Sequence, residues 1–294
     1  MGAFLSFPVF FRDYPLPRAI GLSLFHSVAS FNNSGFDVLG NGTSLIPYQK
    51  DVFLNLVTCA LVIAGGIGFP VIFELPQKHF SWKRLSMHTR VVLSTTFALL
   101  LFGTLLLKLT ENISWLGAFF YSVSARTAGF STYNLGDFST AGLLVVSGLM
   151  FIGASPASTG GGIKTTTFFV LLSGIYSAAT NHSERAFHSA IPKDAFRKAS
   201  VISMLAVFLV MTASYLMLIF DPQLSLRDVL FEMISAFSTS GLSTGITPQL
   251  SAQSRILSII MMYIGRLGPL TVASLWYFTI GERVRYPEGT IAIG

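Results

Sequence analysis

The hydrophobic pattern of the chain alternates long apolar runs with shorter amphipathic segments. A membrane-spanning helix needs about 17–25 apolar residues, and runs of that size cover residues 52–73, 91–107, 199–220 and 256–280. A further run, residues 141–177, is interrupted near its middle. Three shorter segments, residues 18–31, 113–125 and 226–237, predict half-length helices. The pattern therefore favours an all-α membrane protein built from a repeated unit.

A short polar loop bearing a glycine follows each half-length helix. We call residues 31–36 the first loop, residues 125–130 the second loop and residues 237–242 the third loop. Backbone carbonyls that lack partners at membrane depth are tolerated only where they line a cavity filled with water or ions. The negative end of each half-length helix points at its loop and favours a cation there. The repeated loops therefore predict a cation pathway.

The chemistry of K⁺ coordination selects particular loop residues. Carbonyl oxygens replace the hydration shell of K⁺, and glycine reaches the positive φ that such a backbone needs. The residues expected to bind K⁺ as a selectivity filter are Asn33, Ser34, Gly35, Thr127, Ala128, Gly129, Thr239, Ser240 and Gly241. One glycine per loop allows one or two coordination levels, so we expect a moderate preference for K⁺ over Na⁺. An ordinary turn would explain any single loop, but the threefold recurrence favours a filter.

Composition supports a membrane protein and excludes other classes. Hydrophobic residues make up 52% of the 294 residues and charged residues only 11%, against about 25% charged in soluble domains. Mean hydropathy is +0.65. The net charge of +6 could suggest nucleic acid, but the basic residues lie in short connections between apolar runs, as membrane topology requires. The expected partner is the lipid bilayer, and we expect no binding of nucleic acid.

The basic residues also predict an orientation and three units. They fall in two linkers and the C-terminal tail, all on one side of the predicted topology: Lys78, Lys83, Arg84, Arg90, Arg185, Lys193, Arg197, Lys198, Arg283 and Arg285. That side is expected to be cytoplasmic in a multi-pass protein of the plasma (inner) membrane, which places the loops towards the outside. The units are expected at residues 1–75, 76–180 and 181–294.

The interruption at residues 153–167, which we call the flap, combines a proline with three consecutive glycines. Such a break in a membrane helix must be buried in protein or border a cavity, and a flexible gate below the loops is the favoured interpretation. A phosphate-binding loop is disfavoured because Ile163 separates Gly162 from Lys164 and no strand precedes it. The expected gating residues are Gly153, Ser155, Pro156, Gly160, Gly161, Gly162, Lys164 and, from the last run, Arg266.

Other charged residues leave alternatives open. Lys164 could hold a closed state by placing its ammonium in the ion path, and Arg266 could bond the flap carbonyls, form a barrier in the pore or cap a neighbouring helix. Arg126 is expected to point behind the second loop and donate to backbone carbonyls. Asp37 and Asp137 are either cation-concentrating residues or solvated loop residues, while Glu74 and Glu232 are candidates to pair with the intramembrane cations. No catalytic constellation is visible, so we expect neither an enzyme nor a cofactor in this chain.

The loop motifs FNNSGF, RTAGF and STSGLSTGITP, with MFIGASPASTGGGIKTTTF and YIGRLGPLT, resemble the Trk/Ktr/HKT superfamily of K⁺ transporters, particularly the Ktr-type membrane subunit. The resemblance covers essentially the whole chain. It implies repeated helix–pore loop–helix units of K⁺-channel type around a pore, with residues 153–167 as the gating loop facing Arg266. It also implies Na⁺ dependence, a homodimer and a cytosolic nucleotide-binding regulatory ring of KtrA type, which would carry the nucleotide.

Two departures from the family pattern affect these expectations. The family has four repeats, whereas a single truncated apolar run precedes the first loop here. We therefore expect a fragment that would not conduct selectively alone. The first loop also has Ser34 where alanine is expected. The alternative function is a secondary transporter with a midplane solute site formed by broken helices. That class usually pairs inverted repeats, whereas these repeats share one orientation.

Overall fold

The computed structural model describes residues 1–40, 42–181, 185–187, 189–192, 194–269 and 271. Within them the chain forms eleven α-helices: α1 (Gly2–Asp13), α2 (Leu16–Phe31), α3 (Val52–Gly66), α4 (Phe69–Gln77), α5 (Met87–Thr110), α6 (Trp115–Ser124), α7 (Thr140–Ile152), α8 (Thr165–Thr180), α9 (Ala195–Phe220), α10 (Leu226–Ser238) and α11 (Ala252–Leu267). A two-residue hairpin, β1 (Arg185–Ala186) antiparallel to β2 (Ser189–Ala190), precedes α9. The expected all-α membrane-protein fold is confirmed.

Each helix that precedes a loop packs against the helix before it and the helix after it, and we call each such set of three helices a unit. Helix α2 packs against α1 and α3, helix α6 against α5 and α7, and helix α10 against α9 and α11. Neighbouring units meet where α3 contacts α6 and where α7 contacts α10. The predicted half-length helices correspond to α2, α6 and α10 within two residues at each end.

Side-chain caps define where the helix that follows each loop begins. The Asp51 carboxylate accepts the backbone N–H of Leu54 at the start of α3. The hydroxyls of Ser139 and Ser251 accept backbone N–H groups in the same way at the starts of α7 and α11. Each cap satisfies a helix N–H that would otherwise lack a partner.

Two helices among the described residues, α5 and α9, are long and apolar enough to cross a membrane. Helices α3 and α4 would count as a third span if taken together, but they bend by 97° at the break between them. The prediction of one continuous helix over residues 52–73 is therefore corrected. The bend lies at Gly68, which immediately precedes α4 and has a φ of +91° that suits glycine.

The remaining predicted elements agree with the structure or lie partly outside it. The interrupted apolar run splits as expected into α7 and α8, with the last three flap residues in the first turn of α8. Helix α11 accounts for the start of the final predicted run, whereas residues 272–280 lie outside the described residues. Lys193, Arg283 and Arg285, three of the basic residues used for the orientation, also lie outside them.

Candidate functional site

The three loops lie side by side, and their glycines mark the contacts. A Cβ added to Gly35 would overlap the carbonyl oxygen of Ala128, and a Cβ added to Gly129 would overlap that of Ser240. The first loop therefore abuts the second, and the second abuts the third. A Cβ added to Gly241 would meet nothing within 4 Å. Among the described residues, the series of loops is thus open on the side of Gly241.

The three loops share one backbone pattern. Each glycine has positive φ, +60° at Gly35, +79° at Gly129 and +83° at Gly241. The residue two positions earlier also has positive φ: Asn33 (+51°), Thr127 (+82°) and Thr239 (+53°). Non-glycine residues adopt such values at a local energetic cost. Alternation of this kind turns carbonyl groups out of the helical direction, which makes them available to a ligand.

Hydrogen bonds show that the first and third loops end their helices in the same way. The N–H groups of Asn33 and Ser34 donate to Ser30 and Ala29, and those of Thr239 and Ser240 donate to the corresponding Ala236 and Ser235. This is the Schellman arrangement with the left-handed residue just after the helix. The second loop differs, because the N–H of Thr127 donates to Ala125 at 2.8 Å.

Side chains connect neighbouring loops. The Asn33 side-chain amide and the Thr127 hydroxyl are hydrogen-bonded at 3.2 Å. The Ser240 hydroxyl donates to the carbonyl oxygen of Ala125 at 3.4 Å. The Ser34 hydroxyl instead donates to Ala29 within its own unit at 3.1 Å. All nine residues selected from the sequence therefore lie in one group of three adjoining loops.

A cavity of about 280 Å³ lies against all three glycines and is lined by Gly35, Asp37, Ser131, Tyr133, Ser243 and others. Of the two carboxylates considered for the mouth of a pathway, Asp37 lines this cavity. Its carboxylate also accepts the backbone N–H groups of Leu39, Gly40 and Gly42, so it fixes the chain that leaves the first loop. Asp137 lies in the 3₁₀ turn Leu135–Asp137.

The flap packs against the second and third loops. A Cβ added to Gly160 would overlap the side chain of Thr127, and one added to Gly161 would lie 2.7 Å from the hydroxyl oxygen of Thr239. The flap glycines therefore allow contact too close for any larger residue. This contact joins Gly160 and Gly161 directly to two residues selected for ion binding.

The bend between α3 and α4 holds the other side of the flap. The N–H groups of Ser155 and Thr159 donate to the carbonyl oxygens of Gly66 and Gly65 at 3.0 and 3.4 Å. In return the N–H of Phe69 donates to Ala157 at 3.0 Å. Sequence reasoning missed this docking site, although a clue was available, because residues 65–68 and 265–268 share a Gly-x-x-Gly pattern.

Three cationic side chains donate to flap carbonyls. The Lys164 ammonium donates to Gly160 at 2.7 Å, and the Arg266 guanidinium donates to Thr159. The buried Arg126 guanidinium donates to Gly153 at 3.3 Å. Of the roles left open for Arg266, the structure thus contains the bond to the flap.

The carboxylates Glu74 and Glu232 do not pair with those cations in the described part of the chain. Glu74 accepts the N–H and hydroxyl of Ser86, each at 2.7 Å. Glu232 accepts the hydroxyl of Ser243. The suggestion that they pair with the cations is therefore wrong, because serine donors closer in the fold occupy both of them.

Comparisons with known proteins agree with this arrangement. The model of the TrkH family, described as a cation transport protein, matches residues 15–109 and 85–279. The chain is 36% identical to Ktr system potassium uptake protein B of Vibrio alginolyticus, covering 92% of this chain and 62% of that protein. It is 34% identical to potassium/sodium uptake protein NtpJ of Enterococcus hirae, covering 100% and 68%.

A solved structure gives the same fold. The potassium transporter TrkH from Vibrio parahaemolyticus matches with a TM-score of 0.72 at 17% identity, over 94% of this chain and 62% of that one. The chain thus spans slightly less than two thirds of the length of that structure and of the Ktr protein from Vibrio alginolyticus.

Proposed function

Because the chain belongs to the TrkH family of cation transport proteins, we propose that its three loops bind K⁺ and form part of a K⁺ uptake pathway. The observation that carries this proposal is the convergence of Gly35, Gly129 and Gly241 on one cavity. Each loop also stands at the C-terminal, partly negative end of a short helix, which favours a cation. The proposed activity is transport rather than catalysis.

The ion ligands would be backbone carbonyls of the nine residues grouped in the loops. Carbonyl dipoles can replace the hydration shell of K⁺ without a charged side chain. The shared positive φ at two positions of each loop supports this role, since it exposes carbonyls along one short stretch. The short stretch supports only one or two levels of coordination, so K⁺ would be preferred over Na⁺ to a moderate degree.

The open side at Gly241 leaves room for one further loop. Gly35 and Gly129 each abut a carbonyl of the following loop, whereas Gly241 has no such neighbour in the part of the chain that the structure describes. We propose that a fourth loop of the same kind closes the ring there, so that residues 1–75, 76–180 and 181–294 supply three of four similar units.

The flap would act as the gate. It contacts Thr127 and Thr239 through Gly160 and Gly161, and its carbonyls are held by Lys164 and Arg266. Breaking these bonds would let residues 153–164 of the flap move without unfolding either flanking helix, because α7 ends at Ile152 and α8 begins at Thr165.

Topology and partners follow from charge and from the relatives. The basic linkers support a cytoplasmic location for the flap side and an external location for the loops, in the plasma membrane. Similarity to Ktr system potassium uptake protein B supports a membrane subunit that works with a regulatory subunit, and we propose that it is a homodimer on a cytosolic nucleotide-binding ring, as the family resemblance implies. The name of the Enterococcus hirae relative includes sodium, which supports Na⁺ as a further ion.

Flux measurement in lipid vesicles tests the proposal, with purified protein in which a fourth unit of the same kind is joined to this chain, because three loops alone would not close the ring. Uptake of radioactive Rb⁺ should be reduced by external K⁺, less by Na⁺, and not at all by sugars or amino acids. Competition by an organic solute would instead favour a secondary transporter with a midplane site. Equal competition by K⁺ and Na⁺ would contradict the selective filter.

A further inference from the structure

One position of the short helices differs in chemistry among the three units. Nine residues before the loop glycine, the first unit has His26, the second Phe120 and the third Glu232. All three side chains are buried, with Glu232 8% exposed. Because these positions are equivalent in the repeat, the difference shows how each unit supports its own loop.

The histidine and the phenylalanine face other helices and rings. The Nε2 atom of His26 is hydrogen-bonded to the Thr58 hydroxyl on α3 at 2.8 Å. Its ring meets the Phe130 ring edge-on at a centroid distance of 5.3 Å. Phe120 is 1% exposed and belongs to the same apolar cluster as Phe130. Neither side chain hydrogen-bonds the chain leaving its own loop.

Glu232 does bond the chain that leaves its own loop. Its carboxylate accepts the hydroxyl of Ser243, two residues after Gly241. The Thr247 hydroxyl lies 3.4 Å from both carboxylate oxygens and 2.9 Å from the Ser243 hydroxyl. A single carboxylate on α10 therefore holds a segment of five residues beside the third loop.

The other two loops have different supports at the same place. In the second unit the Tyr121 hydroxyl donates to the carbonyl of Tyr133 at 2.6 Å and accepts its N–H at 3.1 Å. In the first unit Asp37 accepts three backbone N–H groups, and the N–H of Leu45 donates to Ser131 at 2.9 Å. Each loop thus has one polar support for its outgoing chain.

Among the described residues, the third loop differs from the other two in having an open side at its glycine. Gly241 is exposed and has no packing neighbour on the side where a Cβ would lie. A cavity of about 270 Å³ adjoins Gly241 and Ser243, with Glu232 and Arg255 on its wall. The bonds of the Glu232 carboxylate therefore connect the chain that leaves the third loop to α10 beside this open side.

We propose that Glu232 is a positioning residue that sets the K⁺ over Na⁺ preference of the third loop through its bonds to Ser243 and Thr247. This inference rests on the proposed ion-binding function of the loops. The carboxylate does not touch the ion. It holds the carbonyls near Gly241 at a separation that suits K⁺, and a looser loop would contract around the smaller Na⁺.

The test compares ion binding by purified variants of the whole chain, each joined to the same fourth unit so that the ring of loops is closed. Dissociation constants for K⁺ and Na⁺ are obtained from ion-dependent thermal stabilisation. Glu232→Gln keeps the shape but loses one acceptor and the charge, and Ser243→Ala removes the donor. Each is expected to reduce the ratio of K⁺ to Na⁺ affinity by roughly tenfold, the effect of losing a hydrogen bond to a charged group.

A double variant and a matched control separate the alternatives. The double variant Glu232→Gln/Ser243→Ala should lose less selectivity than the two single losses combined, because Glu232 and Ser243 are bonded to each other. Glu111→Gln is the control, since Glu111 also accepts a serine hydroxyl, that of Ser139 at 2.6 Å, but outside the loops. The ratio of K⁺ to Na⁺ affinity of the Glu111→Gln variant should not change.

The outcomes distinguish this inference from the proposed function. Wild-type protein without any K⁺ preference would contradict the proposed function itself. Selective wild-type protein with an unchanged ratio in both single variants would overturn the role of Glu232. If Glu232→Gln does not fold, the Ser243→Ala ratio alone decides between the same two results.

Discussion

The contact between the second and third loops can be tested with two glycines of nearly equal backbone conformation. Gly129 has φ of +79° and Gly241 has φ of +83°, so replacement by alanine imposes similar strain, roughly 1–2 kcal/mol at either position. The surroundings differ. The new Cβ at position 129 would overlap the carbonyl oxygen of Ser240 and lie 3.2 Å from its carbon, whereas at Gly241 it would meet open space.

The difference between the two variants therefore isolates the steric contact. To restore ordinary separation, the Ser240 carbonyl must move by roughly an ångström or more, which displaces a proposed ion ligand. Overpacking of this kind destabilises by about 1–3 kcal/mol. At about 2–4 °C per kcal/mol, Gly129→Ala should unfold roughly 2–12 °C below Gly241→Ala.

The assay is thermal unfolding of the purified protein in one detergent and at one scan rate, followed by intrinsic fluorescence. Both variants should be less stable than the wild type, and Gly129→Ala should be the less stable of the two. Equal midpoints would refute the close contact between the loops. A lower midpoint for Gly241→Ala would show that the open side of the third loop is packed.

Three further predictions concern Lys164 in the flap, Arg126, which bonds the flap, and Asp221 at the end of α9. Lys164→Gln should raise Rb⁺ flux about fivefold, because it weakens a charge-assisted bond to the flap. The control Lys108→Gln also removes a lysine bond to a carbonyl and should leave Rb⁺ flux unchanged. Equal effects of the two variants on flux would argue against a gate. Arg126→Gln should lower stability by about 1–3 kcal/mol through loss of a buried bond, and an unchanged unfolding midpoint would contradict that bond. Burial raises the pKa of Asp221, but hydrogen bonds, including those from Ser251, lower it more, so the net shift is downward. The contribution of Asp221 to the free energy of unfolding should be fully present above the pKa of the unfolded state, about 4, and should be lost as the pH falls below that value. In unfolding midpoints measured over a range of pH, Asp221→Asn should no longer show this loss.

Periodicity and composition were sufficient to predict the repeated architecture. The half-length helices appear as short amphipathic segments, and the glycines that follow them mark where each helix ends. The break at residues 153–167 was also visible, because Pro156 and the run Gly160–Gly162 lie in a stretch that is otherwise apolar. These features are local, so the sequence carries them directly.

Features that depend on tertiary contacts were not predictable. A hydropathy window averages over Gly68 and sees one continuous run, although the chain turns by 97° there to receive the flap. The partners of Glu74 and Glu232 were misjudged because opposite charge suggested cations, whereas the fold brings Ser86 and Ser243 closer. Hydroxyl donors of this kind are too common in a sequence to be assigned without a structure.

The central claim is that the carbonyls of three adjoining loops bind K⁺. Crystals grown with Rb⁺ in place of K⁺ test it most directly, because anomalous scattering locates this ion independently of the protein atoms. The account predicts a peak within coordination distance of backbone carbonyls near Gly35, Gly129 and Gly241. A peak confined to another place, such as the cavity beside Arg255, or no peak at saturating Rb⁺, would contradict it.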